Sequence, residues 1–193
     1  MTTYLVFGAS SAIAQATISK LVSSGDRVIA FSRFTQQSNV HFIRLAEYAP
    51  ADIQHALAEL IQSSNGFSFE QVQGVFIFNG ILHSTSLSPE KSLAQFSADN
   101  FFEVLKSNTL VPITILQSVL PKLPKNSVAK IVVLSARIGS IDDNRLGGWH
   151  SYRASKAALN MLLKNVAIEY ARTHKNLKFV SYHPGTTDSE LSK

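Results

Sequence analysis

Tyr152-Arg153-Ala154-Ser155-Lys156 sets a phenol and an ammonium four residues apart, which on a helix puts both side chains on one face. A phenol that titrates near about 10 is a poor proton donor or acceptor at neutral pH, and a fixed neighbouring cation favours the phenolate and draws it toward the working range. Such a pair can pass a proton to or from a substrate oxygen. The spacing alone is cheap in a chain with five tyrosines, so its meaning depends on what stands around it.

A second constellation lies near the N-terminus, where Gly8 follows an apolar run and opens Gly8-Ala9-Ser10-Ser11-Ala12-Ile13-Ala14. A strand, a tight turn of small residues and a helix N-terminus together make a phosphate site, because unpaired backbone N–H groups and the helix dipole both favour an anion. A phosphate-binding loop of the ATPase kind would end in Gly-Lys-Ser/Thr, and no such ending occurs.

Both constellations need a framework that delivers them to one place. Short apolar runs at 4–7, 27–31, 40–43, 72–78, 130–134 and 177–182 alternate with helix-length stretches at 12–23, 51–62, 92–105, 111–120 and 152–174. Val75-Phe76-Ile77-Phe78 and Ile131-Val132-Val133-Leu134 are apolar on both faces, as parallel strands covered above and below must be. The alternation predicts a doubly wound parallel sheet in a three-layer α/β/α arrangement. Breakers at 24–26, 63–66 and 121–126 sit at the joints. The stretches 152–170 and 111–120 carry more apolar surface than one sheet can cover, so a homodimer or homotetramer is expected, with Leu163 as an outward position.

A chain of 193 residues with 45% hydrophobic content suits one domain, 1–193. Its basic residues are scattered and its net charge of +5 forms no block, which argues against a nucleic-acid partner. The absence of cysteine excludes disulfides, thiolate catalysis and sulfur-ligated metals. The six histidines show no pair at metal-binding spacing with an acidic neighbour, so no metal is expected. There is no signal-like leader and no apolar run approaching the roughly 20 residues that span a bilayer, so a cytoplasmic protein with no membrane partner is expected.

Taken as a set, these residues resemble the short-chain dehydrogenase/reductase family over the whole chain. The family's Thr-Gly-x-x-x-Gly-x-Gly turn is matched by the run from Phe7 to Ala14, and its Asn-Asn-Ala-Gly segment after the fourth strand by Ile77-Phe78-Asn79-Gly80. Its structural asparagine falls on Asn108, its Tyr-x-x-x-Lys on Tyr152 and Lys156, and its Pro-Gly pair after the sixth strand on Pro184-Gly185, with Thr187 near where a hydroxyl holds the nicotinamide amide. The run from Leu134 to Ser140, with Asp143-Asn144-Arg145-Leu146-Gly147-Gly148-Trp149 and the Tyr152 motif behind it, is similar to the C-factor and sniffer-like carbonyl reductase branch. The resemblance implies a Rossmann-like oxidoreductase that moves a hydride between NADP(H) and a small carbonyl or alcohol. Tyr152 would be the general acid/base. Lys156 would bind the nicotinamide ribose, Asn108 would hold a water linked to that lysine, and Ser135 would orient the carbonyl. Gly8, Ser10, Ser11, Ala12, Ile13, Arg33, Asn79, Gly80, Pro184, Gly185 and Thr187 would complete the cofactor site with Tyr152 and Lys156.

Several positions depart from the family pattern. Ala12 and Ala14 replace the second and third glycines of the turn, and a methyl at Ala12 would face the pyrophosphate. Asn79 replaces an alanine, and Ala136 stands where the catalytic serine usually falls, leaving Ser135 and Ser140 as neighbouring hydroxyls. Strand two ends Phe31-Ser32-Arg33 without the acidic residue that binds a free ribose 2′-hydroxyl, while the Arg33 guanidinium suits a 2′-phosphate, so NADP(H) is expected over NAD(H). Relatives continue past the Pro-Gly pair, so a missing C-terminal strand and substrate lobe are expected. Trp149 and His150 precede the Tyr152 helix and could line a substrate cleft. The competing reading, a non-catalytic dinucleotide-binding or scaffold protein that keeps the fold, rests on Ala12, Ala136 and the short C-terminal part.

Overall fold

Six strands form one all-parallel sheet in the order β3-β2-β1-β4-β5-β6. The computed structural model describes residues 2–34, 40–63 and 66–185; Thr187 lies outside them. The strands are β1 (Thr3–Phe7), β2 (Arg27–Ser32), β3 (His41–Arg44), β4 (Val72–Ile77), β5 (Lys130–Leu134) and β6 (Lys178–Tyr182). The main helices are α1 (Ala12–Ser23), α2 (Pro50–Ser63), α3 (Ala98–Leu105), α4 (Val111–Val119) and α5 (His150–Tyr170).

Alternation along each strand sends successive side chains to opposite layers. Leu5, Phe7, Ile29, Phe31, Ile131 and Val133 face α2, α4 and α5, whereas Val6, Val28 and Ala30 face α1 through Ala14 and Ile18. This is the doubly wound three-layer α/β/α arrangement. The chain moves outward in one direction from β1 to β3 and in the other from β4 to β6, so the carboxyl ends of β1 and β4 flank a crevice at the switch point. Gly8 lies at that point with φ +70°, and a Cβ there would come within 2.8 Å of the Asn79 nitrogen and 2.9 Å of the Phe78 carbonyl carbon. Only glycine lets the two strand ends approach so closely.

Two helices depart from the sequence reading by more than one residue at an end. In the stretch 92–105, only a 3-10 turn forms at Leu93–Gln95, Phe96 and Ser97 are extended, and α3 starts at Ala98. Helix α5 starts at His150 and ends at Tyr170, where a helix over 152–174 was expected. Between α3 and α4 the helix widens into a π turn, Lys106–Leu110. Pro112 accounts for it: the ring has no N–H for the carbonyl four residues back and would collide with it, so the turn opens around Asn108.

Leu163 corrects the sequence reading. It is only 4% exposed and packs with Leu159 in the core, because the helical period brings these two to the sheet side. The outward apolar residues are Met161 and Ile168 on α5, with Phe102 and Leu110 on the adjoining α3 and π turn. Among the described residues, no helix is long and apolar enough to cross a membrane, and no group of three His, Asp or Glu side chains could hold a metal.

Candidate active site

The phosphate end of the crevice is built by the first turn of α1. Ser11 is extended and caps the helix, its Oγ accepting the Ala14 N–H at 3.2 Å. The Ala12 and Ile13 amides have no carbonyl one turn back within the helix and face outward from its positive end. Ser10, Ser11, Ala12 and Ile13 line one end of an open cleft of about 1840 Å³. Arg33 is exposed at the end of β2, and Arg44 at the end of β3 donates from Nε to the Arg33 carbonyl at 3.4 Å. The ends of β2 and β3 thus carry two neighbouring arginines, with the Arg33 guanidinium over the Phe34 ring.

Tyr48 braces the turn from below, a role with no signature in the sequence. Its hydroxyl accepts the Gly8 N–H at 3.0 Å and donates to the Phe31 carbonyl at 3.3 Å. Burial pushes this phenol up, opposed by hydrogen bonds from the Asn79 side chain and Gly8 and by the nearby Arg33 charge. The Gly8 amide is thereby committed to the fold. Asn79 does not line the cleft; its Oδ1 is buried without a hydrogen-bond partner. The outward α1 amides and the small residues before them fit the phosphates of a dinucleotide.

At the other end of the cleft stands α5. Tyr152 is buried against Leu87 and Val104, and Lys156 is buried one turn on, its Nζ 5.8 Å from the Tyr152 ring centroid. The ammonium donates to the Leu134 carbonyl at 2.9 Å. Desolvation brings Lys156 down to about 8 and pushes the Tyr152 phenol up. The sequence reading expected the cation to dominate; burial of the phenol outweighs it. Gly139 packs directly on this helix: a Cβ there would lie 2.8 Å from both the Lys156 carbonyl carbon and its Cβ.

Asn108, fully buried, ties three segments together. Its Oδ1 accepts the Ile81 N–H at 2.6 Å, and its Nδ2 donates to the Ile81 carbonyl at 2.9 Å and to Ser155 Oγ at 3.1 Å. Thr109 adds a bond from its hydroxyl to the Ser155 carbonyl. The π turn therefore docks both the segment after β4 and helix α5. A Cβ on Gly80 would sit 3.0 Å from Asn108 Oδ1 and 3.4 Å from Lys156 Nζ, so these groups crowd one corner of the cleft.

Ala136 packs beside Tyr152 and presents a methyl group there. Ser135 lines the cleft, but its hydroxyl donates to Asn160 Oδ1 at 2.8 Å, an oxygen that also accepts from Ser181 at 2.6 Å. Ser140 is exposed, accepts the Asp143 N–H and is absent from the cleft lining. Pro184 and Gly185 border the cleft with His183, and Trp149 lines it near Tyr152 with their rings 6.3 Å apart. His150 is not in the lining.

A parallel sheet whose switch-point crevice has a small-residue turn and helix N-terminus at one end and a buried tyrosine and lysine at the other has the architecture of a Rossmann-like dinucleotide-binding fold. Comparison with known proteins places it further. A profile of the short chain dehydrogenase family matches residues 2–193, and the chain belongs to that family as an NAD(P)-dependent dehydrogenase/reductase. It is 28% identical over 199 residues to 1-hydroxy-2-glutathionyl-2-methyl-3-butene dehydrogenase of Rhodococcus sp. strain AD45, covering 100% of this chain and 81% of that protein. A short-chain dehydrogenase/reductase of Burkholderia multivorans solved with bound NADP superposes with a TM-score of 0.83 at 25% identity, covering 99% of this chain and 82% of that one. The Sniffer carbonyl reductase of Drosophila melanogaster shares the fold, with a TM-score of 0.82 at 20% identity over 100% of this chain and 84% of its own.

Proposed function

We propose that the protein reduces apolar carbonyl compounds with NADPH, Tyr152 supplying the proton. The carrying observation is the placement of Tyr152 and Lys156, buried on one face of α5, in the same cleft as the first turn of α1. A bound dihydronicotinamide dinucleotide supplies the hydride for this chemistry. Tyr152, kept protonated by its burial, gives its phenolic proton to the carbonyl oxygen. Lys156 binds the ribose and carries positive charge beside the phenol after the proton has left, and Asn108 holds the corner in which the ammonium sits. Gly8, Ser10, Ser11, Ala12 and Ile13 shape the pyrophosphate cradle, and Asn79, Gly80, Pro184, Gly185 and Thr187 belong to the same cofactor site. Of the two serines near Ala136, Ser135 is the one that lines the cleft, and it is assigned to orient the carbonyl, its hydroxyl turning from Asn160 Oδ1 to do so. Ile81, Leu82, Ala136, Ile138 and Trp149 form an apolar wall beside Tyr152, which suits aromatic or branched ketones and aldehydes. The stretch from Leu134 to Lys156 supports a place on the C-factor and sniffer-like branch. The test is loss of NADPH absorbance with benzil, phenanthrenequinone and para-nitrobenzaldehyde; oxidation of NADPH by none of a broader set of aldehydes and ketones would overturn the reading.

Preference for NADPH over NADH rests on Arg33, with Arg44 beside it. A charge-assisted contact to the 2′-phosphate is worth roughly 1.5–3 kcal/mol. Arg33→Ala should therefore weaken NADPH binding by about tenfold to 100-fold and leave NADH nearly unchanged, measured by fluorescence titration of both. Equal or tighter binding of NADH by the wild type contradicts the assignment.

A homodimer or homotetramer is proposed for the exposed face formed by Met161, Ile168, Phe102 and Leu110. Sedimentation velocity at micromolar concentration should show an oligomer that Met161→Asp weakens or splits. A wild-type monomer under those conditions excludes it.

A further inference from the structure

Glu90 is the only buried carboxylate among the described residues, 3% exposed, and it lies far in sequence from the helix it serves. Helix α5 has an unfavourable start. Its N-cap is Trp149, at φ +50° and without a capping side-chain oxygen, and Gly147 and Gly148 before it are also left-handed. A non-glycine residue in that region costs about 1–2 kcal/mol, and the first-turn amides still need acceptors. Glu90 supplies them from 61 residues away. Its backbone carbonyl accepts the Trp149 N–H at 2.5 Å. Its carboxylate accepts the Ser151 N–H at 3.2 Å and also the Ser151 hydroxyl. The helix is thus capped by a charged group from another segment, with the sign its dipole favours. Burial alone would raise the Glu90 pKa, but the Ser151 hydroxyl and amide and the charge of His150 hold it below the usual carboxylate range.

The position of this clamp gives it a role beyond holding a helix end. Ser151 immediately precedes Tyr152, and Glu90, Ser151 and Tyr152 line one small pocket with Leu82, Leu87 and Val104. On either side of Glu90, Pro89 and Lys91 line the main cleft. One residue therefore joins the cleft wall to the first turn that carries the phenol.

We propose that Glu90 is a positioning residue for proton transfer, fixing the register of the α5 N-terminus and hence the place of the Tyr152 hydroxyl in the cleft. This rests on the carbonyl-reductase reading. A catalytic group displaced by about 1 Å can lose up to about 100-fold in rate while binding is little changed. Glu90→Gln keeps the shape but puts an amide where the carboxylate accepts two donors. Its kcat on the best carbonyl of the panel should fall about tenfold or more, with the NADPH Kd and the carbonyl KM within about twofold of wild type. The deuterium isotope effect on kcat, with NADPH deuterated at the transferred position, should rise as chemistry becomes limiting. Ser151→Ala removes only the hydroxyl donor and should act in the same direction. Adding it to Glu90→Gln should cost little more, because both break one interaction.

A Glu90→Gln protein that is folded and retains wild-type kcat overturns the proposal. So does one in which kcat falls only in step with the folded fraction or with a loss of NADPH affinity. Should Glu90→Gln fail to fold, Ser151→Ala decides alone by the same split between kcat and Kd. Tyr152→Phe, run in parallel, separates the two claims: if it is inactive while both clamp variants are normal, the positioning role is wrong and the carbonyl-reductase reading stands.

Discussion

Tyr152→Phe should lower kcat for carbonyl reduction by at least about 1000-fold while the NADPH Kd stays within about twofold of wild type. The substitution removes one hydroxyl and keeps the ring, which is buried against Leu87 and Val104. Packing and the cleft wall survive; the proton donor does not. The pH dependence has a definite sign. Burial raises the Tyr152 pKa, so the phenol stays protonated through neutral pH. Reduction, which consumes the protonated form, should be flat there, and oxidation of the corresponding alcohol, which needs the phenolate, should increase as the pH is raised. Steady-state rates in both directions, together with fluorescence titration of the cofactor, measure all of this. Full activity in Tyr152→Phe would remove this residue as the acid.

Lys156→Ala should behave differently, with cofactor affinity and turnover falling together. The side chain is 2% exposed and held by the Leu134 carbonyl, so truncation leaves a cavity and an unpaired acceptor as well as deleting the charge. Loss of a charged ribose contact should weaken NADPH by about tenfold or more, and kcat should fall by about 100-fold or more. The same lysine gives a stability signature that needs no substrate. Its pKa is lowered from 10.5 to about 8 in the folded state by burial, so between those values the unfolded chain binds more protons. Wild-type stability contributed by this group therefore rises from about pH 8 to 10.5 and is lowest below 8, by roughly 3 kcal/mol. In Lys156→Ala that rise should be missing, as read from denaturant unfolding across the range.

What the sequence shows of this fold is what neighbouring residues can encode. The two-faced apolar runs at β4 and β5, the Gly8 turn and the Tyr152–Lys156 spacing are local patterns, and each identifies an element by itself. The start of α5 is not local. Trp149 has a poor capping side chain, and the helix begins there because Glu90, 61 residues before Ser151, accepts the Trp149 and Ser151 amides. Tyr48 beneath Gly8 and Asn160 beneath Ser135 escape notice for the same reason, since their partners are 40 and 25 residues away. The outward placement expected of Leu163 fails because a helix apolar on several faces does not reveal which one the sheet takes. The absence of a serine at Ala136 is plain in the sequence, but only the structure shows that Ser135, a residue of the cleft lining, turns its hydroxyl to Asn160.

The central claim is direct hydride delivery to a carbonyl carbon in this cleft. It is tested by offering the wild-type protein benzil, or whichever panel carbonyl it turns over fastest, with NADPH carrying deuterium at the transferred position of the dihydronicotinamide. The account predicts one deuterium on the carbinol carbon of the product for each NADPH oxidised, in a single stereochemical sense. NADPH consumption without deuterium in the alcohol, or no alcohol formed from any carbonyl tried, would contradict it.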